Sequence, residues 1–222
     1  MDENNIKKIW RSSNEKWEEA LALSTKNAED IAHLKVRGLL NSMGPIKLFT
    51  LIVGIVWVGL GMTILFHIYI YAFSEANKFF LFSASIQVGL TGLALYIYLY
   101  QLITIYHVDV TESILKTQEK LASLKTSTLW VTRILFLQLP VWTTFYWNET
   151  MFSEWGFFQW LMQAIVTSAF TIIALWLFIN IKYENRDKRW FRLIFEDNEW
   201  TPLMKSMELL EQVEEYKVGD NS

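Results

Sequence analysis

Three amides and two hydroxyls have the type and spacing to act inside an apolar environment: Gln87, Gln138 and Gln163, with Thr91 and Thr167. Each lies within a long apolar run. At 1.5 Å per residue, the three amides fall roughly 10 to 15 Å from one end of their runs. An amide donates and accepts hydrogen bonds but carries no titratable proton, so the chemistry on offer is adhesion between helices rather than proton transfer. An amide facing hydrocarbon without a partner costs several kcal/mol. These side chains are therefore expected to turn inward and bond one another, Thr63, Thr91, Thr167 or backbone carbonyls. A hydrated solute path is the competing reading, and it would need a polar lining continuous to both surfaces.

Catalysis or proton coupling would require ionisable groups at similar depth, and apart from Lys47 and Lys182 at their very edges the apolar runs supply only His67 near one boundary and Arg133 near the other. They contain no carboxylate. His33, His67 and His107 lie in different segments, so no pair has the i, i+3 or i, i+4 spacing of a metal site. The chain has no cysteine, which removes disulfides, thiolate ligands and Cys nucleophiles. Gly-rich phosphate loops and a Ser elbow are absent too. The expectation is a protein that is not an enzyme and takes no cofactor or metal. A formal charge of −3, with basic residues interleaved among acidic ones, argues against a nucleic-acid partner.

The elements that must position these residues are four apolar blocks. Residues 46–71 and 79–106 each exceed the roughly 20 residues needed to cross a ~30 Å hydrocarbon core, and the short segment 72–78 can only turn the chain back. Residues 129–147, holding Arg133, Gln138 and a Pro140 expected to kink the helix, and residues 156–183 form a second pair. The predicted fold is all-α: an integral membrane protein with four transmembrane helices as two hairpins, 46–106 and 129–183, plus cytosolic amphipathic helices. Small residues Gly54, Gly59 and Gly61 in the first span, and Ser85, Gly89 and Gly92 in the second, are expected to let neighbours approach. Opposite them in the second span lie Gln87, Thr91, Tyr98 and Gln101. Arg133, about one turn inside its boundary, is expected to reach the headgroups.

The polar segments are 1–45, 107–128 and 184–222. In the first, Ile6, Trp10, Ser13, Trp17, Leu21, Ser24, Ala28, Ile31 and Leu34 advance by three or four, predicting one or two amphipathic helices that stop at Gly44 and Pro45. This segment lacks the pattern of a cleaved signal, so the first hairpin is expected to serve as an uncleaved insertion signal. In the second, Val110, Ile114, Leu121 and Leu124 form a stripe, and Glu112 and Lys116 are placed for an i, i+4 pair. The junction into the third carries Lys182, Arg186, Lys188, Arg189 and Arg192 among Tyr183, Trp190 and Phe191, suited to an anionic headgroup surface. The third segment closes with an acidic helix, begun at Thr201 and Pro202, whose stripe is Leu203, Met207, Leu210 and Val213. Such a stripe packs on its own protein or takes a partner. Trp10, Trp17, Leu21, Leu203, Met207 and Leu210 are the candidate partner-binding positions; for the two tryptophans, packing within the protein and anchoring at the membrane surface compete.

Of the 20 Lys and Arg, only Lys78 falls in the loops 72–78 and 148–155, which places both termini and the middle loop in the cytoplasm of a multi-pass cell-membrane protein. Those outer loops are too short for a bulky external ligand, and the sequon at Asn148 abuts a span, where chance explains it. Ser74 and Ser153, each followed by a Glu, are the expected helix caps of the two outer turns. Their likeness fits convergence on a good cap or an old duplication of a helix followed by a hairpin.

Lys7, Lys8, Ile9 and Trp10, followed by a charged helix and four spans, resemble small uncharacterised bacterial inner-membrane proteins of Bacteroidota type with an N-terminal amphipathic helix. The resemblance covers the whole architecture, implies a bacterial inner membrane, and carries over no activity and no functional residue. The function expected is a non-enzymatic membrane adaptor or regulatory protein presenting a cytosolic helical docking surface. The rival is a transporter or channel for a small or lipid-like solute. Expected partners are the lipid bilayer and a cytosolic protein reached through the terminal helices, with homo-oligomerisation left open.

Overall fold

The computed structural model describes residues 3–108, 112–195 and 200–220. Among these the regular structure is entirely helical: α1 Glu3–Tyr71, α2 Lys78–Tyr106, α3 Ile114–Phe136, α4 Leu139–Thr144, α5 Glu149–Glu154, α6 Phe157–Asn180, a short 3-10 turn Tyr183–Asn185, α7 Arg189–Phe195 and α8 Trp200–Asp220. Three of them, α1, α2 and α6, are long and apolar enough to cross a membrane. The apolar lengths form a bundle in which α1 packs along α2, α2 along α3 and α4, and those two along α6. At one end, the turn end, lie the segment before α2 and the short α5. At the other, the layer end, α8 packs on α1 and α3.

The expected stop at Gly44 and Pro45 does not occur. α1 runs through Pro45 for 69 residues, about 100 Å. Pro45 cannot donate to the carbonyl of Asn41, but both residues are exposed, where that loss is cheapest. The buried face also differs from the expected stripe: Ile31 and Leu34 are exposed, while Ala32, Val36, Leu40 and Met43 are buried. Steps of four, four and three keep these on one side of a 3.6-residue helix, and the next step of four reaches Lys47. They meet Ile105, Val108, Leu121, Leu124, Leu203 and Leu210 in one core at the layer end. Val110 and the side chains of residues 3–9 lie outside the described residues.

Between α1 and α2 the glycines explain the fit. A Cβ on Gly61 would come within 2.7 Å of Val88 Cγ2, and one on Gly54 would collide with Leu95 Cδ2. Seven residues forward in α1 correspond to seven backward in α2, the register of an antiparallel pair two turns long. Gly89 and Gly92, by contrast, meet nothing within 4 Å, so the small face of α2 does not serve close packing there.

The third apolar run is two helices. After Phe136 the chain tightens, with Leu137 N–H donating to Ile134 O at 3.2 Å and Gln138 N–H to Leu135 O at 3.2 Å. Pro140 then sits in the first turn of α4, where its missing N–H costs nothing. The amphipathic middle segment and the first part of this run are one helix, α3, separate from α2, whose cap is His107. Glu112 lies ahead of α3 and pairs with Lys120 at 2.5 Å rather than with Lys116. Lys120 also donates to His107 O at 2.6 Å and so ties the α2–α3 connection.

The caps are asparagines, not the two serines. Asn77 Oδ1 accepts from Phe79 N–H at 2.9 Å and Phe80 N–H at 3.3 Å, and its Nδ2 donates to Trp147 O. Asn148 caps α5, while Gly156 starts α6 without a side-chain bond. Ser74 is too far from Lys78 to cap it, and Ser153 donates back to Thr150 O at 3.1 Å. Phe79, Trp147, Phe152 and Trp160 close this end with ring-centroid separations of 4.9 to 6.4 Å, within the usual range for aromatic pairs.

Candidate functional site

The polar side chains inside the bundle gather at separate levels. Nearest the layer end, Lys47 is only 1% exposed, its Nζ 2.7 Å from Gln101 Oε1 and 4.5 Å above the Tyr98 ring. Gln101, itself fully buried, donates through Nε2 to Ser127 Oγ at 3.0 Å and Thr128 Oγ1 at 3.4 Å. One cation and one amide thus join α1, α2 and α3. By its place in the sequence, second in the 46–71 run, Lys47 is expected at an edge, and the structure buries it instead. The signal for its role is the pair Tyr98 and Gln101, which gives α2 a polar face that meets Lys47 on the buried face of α1 and, through Gln101, the hydroxyls of α3.

At the same end Arg133 does not reach outward as expected. Its Nε donates to Ile181 O at 2.7 Å and its Nη2 donates to the same oxygen, so the guanidinium caps the C-terminus of α6. Unpaired carbonyls and the negative end of the helix dipole favour a cation there.

Midway, Gln138 Nε2 donates to Thr91 Oγ1 at 3.0 Å, linking the α3–α4 break to α2. Nearer the turn end Gln163 is 7% exposed and uses both ends of its amide. Its Nε2 donates to Thr143 O at 2.8 Å and to Thr167 Oγ1 at 3.1 Å, and its Oε1 accepts from Tyr146 Oη at 2.7 Å. Thr143 and Thr167 are joined at 3.0 Å, and Ser83 meets Thr144 at 3.1 Å. The structure therefore brings together Thr91 with Gln138, and Gln163 with Thr167, but in separate groups. Thr63 joins none of them and bonds Gly59 O in its own helix at 2.8 Å. Thr143, in α4, and Tyr146, just past its cap Phe145, neither of which sequence reasoning singles out, lie three residues apart on the side that faces α6.

Gln87 is the exception among these amides. It is 6% exposed, yet its Nε2 has no hydrogen-bond partner. It lines an apolar groove of about 280 Å³ between α1, α2 and α4.

The candidate partner-binding residues also separate. Leu203 and Leu210 are fully buried, and Met207 packs against the same core, so the chain itself occupies that stripe. Trp10, Trp17 and Leu21 are 75%, 71% and 42% exposed. Among the described residues no three His, Cys, Asp or Glu approach closely enough to hold a metal ion. The arrangement is suited to locking helices together at several levels. Comparison with known proteins finds no matching family model, no matching curated protein and no matching solved structure.

Proposed function

We propose that this chain is a non-enzymatic integral membrane adaptor or regulatory protein of a bacterial inner membrane, with both termini and the α2–α3 connection in the cytoplasm. In this reading α1, α2 and α6 each cross the bilayer, and the end of α3 with α4 makes a fourth, broken crossing. The observation that carries it is the overhang of α1: its first turns outrun the helical layer and leave Trp10 and Trp17 exposed on a helix whose later turns are core. Large aromatic side chains on a projecting helix suit an apolar groove of a cytosolic protein, where a few such anchors supply most of the binding energy. Pairing of the buried amides and hydroxyls with one another supports an adhesive role for them over the lining of a solute path.

The test is affinity capture from membranes. Full-length protein is expected to retain a stable partner that is lost with Trp10→Ala/Trp17→Ala and with removal of residues 1–24, a cut that spares the core beginning at Ala32. Solute flux in vesicles with no partner bound would replace the adaptor by the carrier. Orientation is checked with single cysteines, which enter a chain that has none. Impermeant thiol reagent on intact cells is expected to label Ser74→Cys and Ser153→Cys and to spare Ser13→Cys and Ala122→Cys, all exposed positions. The opposite pattern would invert the topology.

A further inference from the structure

We propose that α7 and the residues leading into it form a binding surface for the headgroups of anionic phospholipid, in the leaflet where α6 ends. The inference takes its bilayer setting from the reading above but does not depend on the adaptor role. Position comes first. α6 ends at Asn180, and α7 folds back beside its last turns: the rings of Trp190 and Trp176 lie 4.9 Å apart, and Phe191 and Phe195 are buried with Leu177 and Ile181. Trp176 is one turn inside the end of α6, so α7 is held where the apolar span runs out, the level that tryptophans favour in membranes.

The buried side of α7 fixes what its other side presents. At about 100° per residue, Arg189, Arg192 and Leu193 share one side, opposite Phe191 and Phe195. All three are exposed, and Leu193, at 88%, is more exposed than any other large apolar side chain among the described residues. Two arginines flanking an uncovered leucine suit the headgroup boundary, where the guanidinium groups reach phosphates while the leucine enters the first acyl carbons. The cations continue beyond α7. Lys125 Nζ and the Arg186 guanidinium stand 4.0 and 4.4 Å from the centre of the Tyr183 ring, so one tyrosine holds two like charges close together. Arg186 in turn lines a groove with Arg192 and Lys205. Carboxylates answer these charges only in part. Asp187 and Glu208 line the same groove, and Asp187, with its side chain 89% exposed, lies 3.9 Å from Arg186 Nε. Among the described residues Lys125, Arg189 and Arg192 form no ion pair. Between Lys182 and Arg192 the sequence sets five cations against Glu184 and Asp187, an excess that draws anions. A soluble phosphate would satisfy the cations and leave Leu193 in water. The phosphate of an anionic lipid satisfies both, and that difference selects the lipid.

The experiment uses the purified full chain in non-ionic detergent, melted with rising mole fractions of phosphatidylglycerol or, as the zwitterionic control, phosphatidylcholine. A saturable rise of the melting midpoint is expected with phosphatidylglycerol at a mole fraction at least roughly tenfold lower than with phosphatidylcholine, and high salt should remove the difference. At about fivefold per cation near a headgroup surface, Arg189→Gln/Arg192→Gln should raise the half-saturating fraction about thirtyfold, while Arg189→Lys/Arg192→Lys keeps the wild-type response. Leu193→Gln should raise it about tenfold. All three side chains are exposed, so the midpoints without lipid should stay together. Equal responses to the two lipids would overturn the proposal, and are the result expected if Glu196, Asp197 and Glu199, next in the sequence and outside the described residues, neutralise this face. An undiminished response from the glutamine pair would overturn it too, and an unchanged response from Leu193→Gln would take α7 off the headgroup boundary with the same effect. An equal shift with glycerol phosphate, the headgroup anion without acyl chains, would mean a site for a soluble anion and would replace the lipid. Extraction of membranes with alkaline carbonate tests the bilayer setting separately: release of the chain without detergent would sink that setting whatever lipid it prefers.

Discussion

Lys47→Met is expected to destabilise the bundle by about 3 kcal/mol, although it removes a single charged atom and keeps most of the apolar stem. Lys47 Nζ is the donor, at 2.7 Å, to a Gln101 side chain that is fully buried. Without it Gln101 Oε1 is left inside the bundle, which costs about 1 to 3 kcal/mol, and the contact with the Tyr98 ring goes too, worth up to about 2 kcal/mol in a desolvated setting. For a chain of this size, each kcal/mol lowers the melting midpoint by about 2 to 4 °C, so a drop of about 6 to 12 °C is expected. Methionine is the informative replacement because alanine would add a cavity. Lys47→Met/Gln101→Leu should lose less than the sum of the single changes, since removing both partners leaves no orphaned acceptor on that side. A Lys47→Met protein that melts with the wild type would mean the node contributes nothing.

The reason Lys47 escaped a reading of the sequence lies in how burial is inferred. A lysine at the margin of an apolar run looks like a boundary marker, because a charge inside hydrocarbon is costly. What reverses the inference is the rotation of α1, and this is set by α2 and α8 rather than by α1 itself. The stripe through Trp10, Trp17, Ile31 and Leu34 is a fair helical face, but the partners arrive on the face of Ala32, Val36 and Leu40. Residues far away in sequence make that choice, so periodicity within α1 could show that a helix exists without showing which side is covered. The apolar runs themselves were legible because length and lack of charge suffice to define them: α1, α2 and α6 have the length and hydropathy their sequences promise. Pro45 and Pro140 show the limit of local rules. One lies at an exposed position inside a continuous helix and the other beside a break, and what separates them is the setting around Asn41 and Phe136, not the proline.

The inward amides were legible for a related reason. Gln138 and Gln163 cannot face hydrocarbon cheaply, so their direction was fixed before their partners were known. The partners were harder to foresee. Tyr146 and the carbonyl of Thr143 are available to Gln163 only because the chain breaks after Phe136 and restarts as α4, and the break cannot be placed from the proline alone. Asn77 and Asn148 outcompete the nearby serines as caps because each sits immediately before a helix with an extended backbone, a position that only the fold defines.

Leu210→Ala is expected to cost about 2 to 5 kcal/mol, the range for truncating a fully buried leucine in a packed core. Leu210 is enclosed at the layer end with Leu121, Leu124 and Leu203, so the side chain lost there leaves a void that three helices would have to close together. Trp17→Ala, although it removes a larger side chain, is expected to change stability by no more than about 0.5 kcal/mol, because the indole is 71% exposed and no core forms around it. The contrast separates two roles that look identical as amphipathic stripes. If Trp17→Ala lowered the melting midpoint as far as Leu210→Ala, the overhang of α1 would be folded against something in the isolated protein and would not be free to take a partner. If Leu210→Ala melted with the wild type, α8 would be a loosely held tail, and its Leu203, Met207 and Leu210 stripe would return as a surface that a partner could claim. The expected result, a large loss at Leu210 and none at Trp17, leaves the tryptophan helix as the part of the layer with apolar surface to spare.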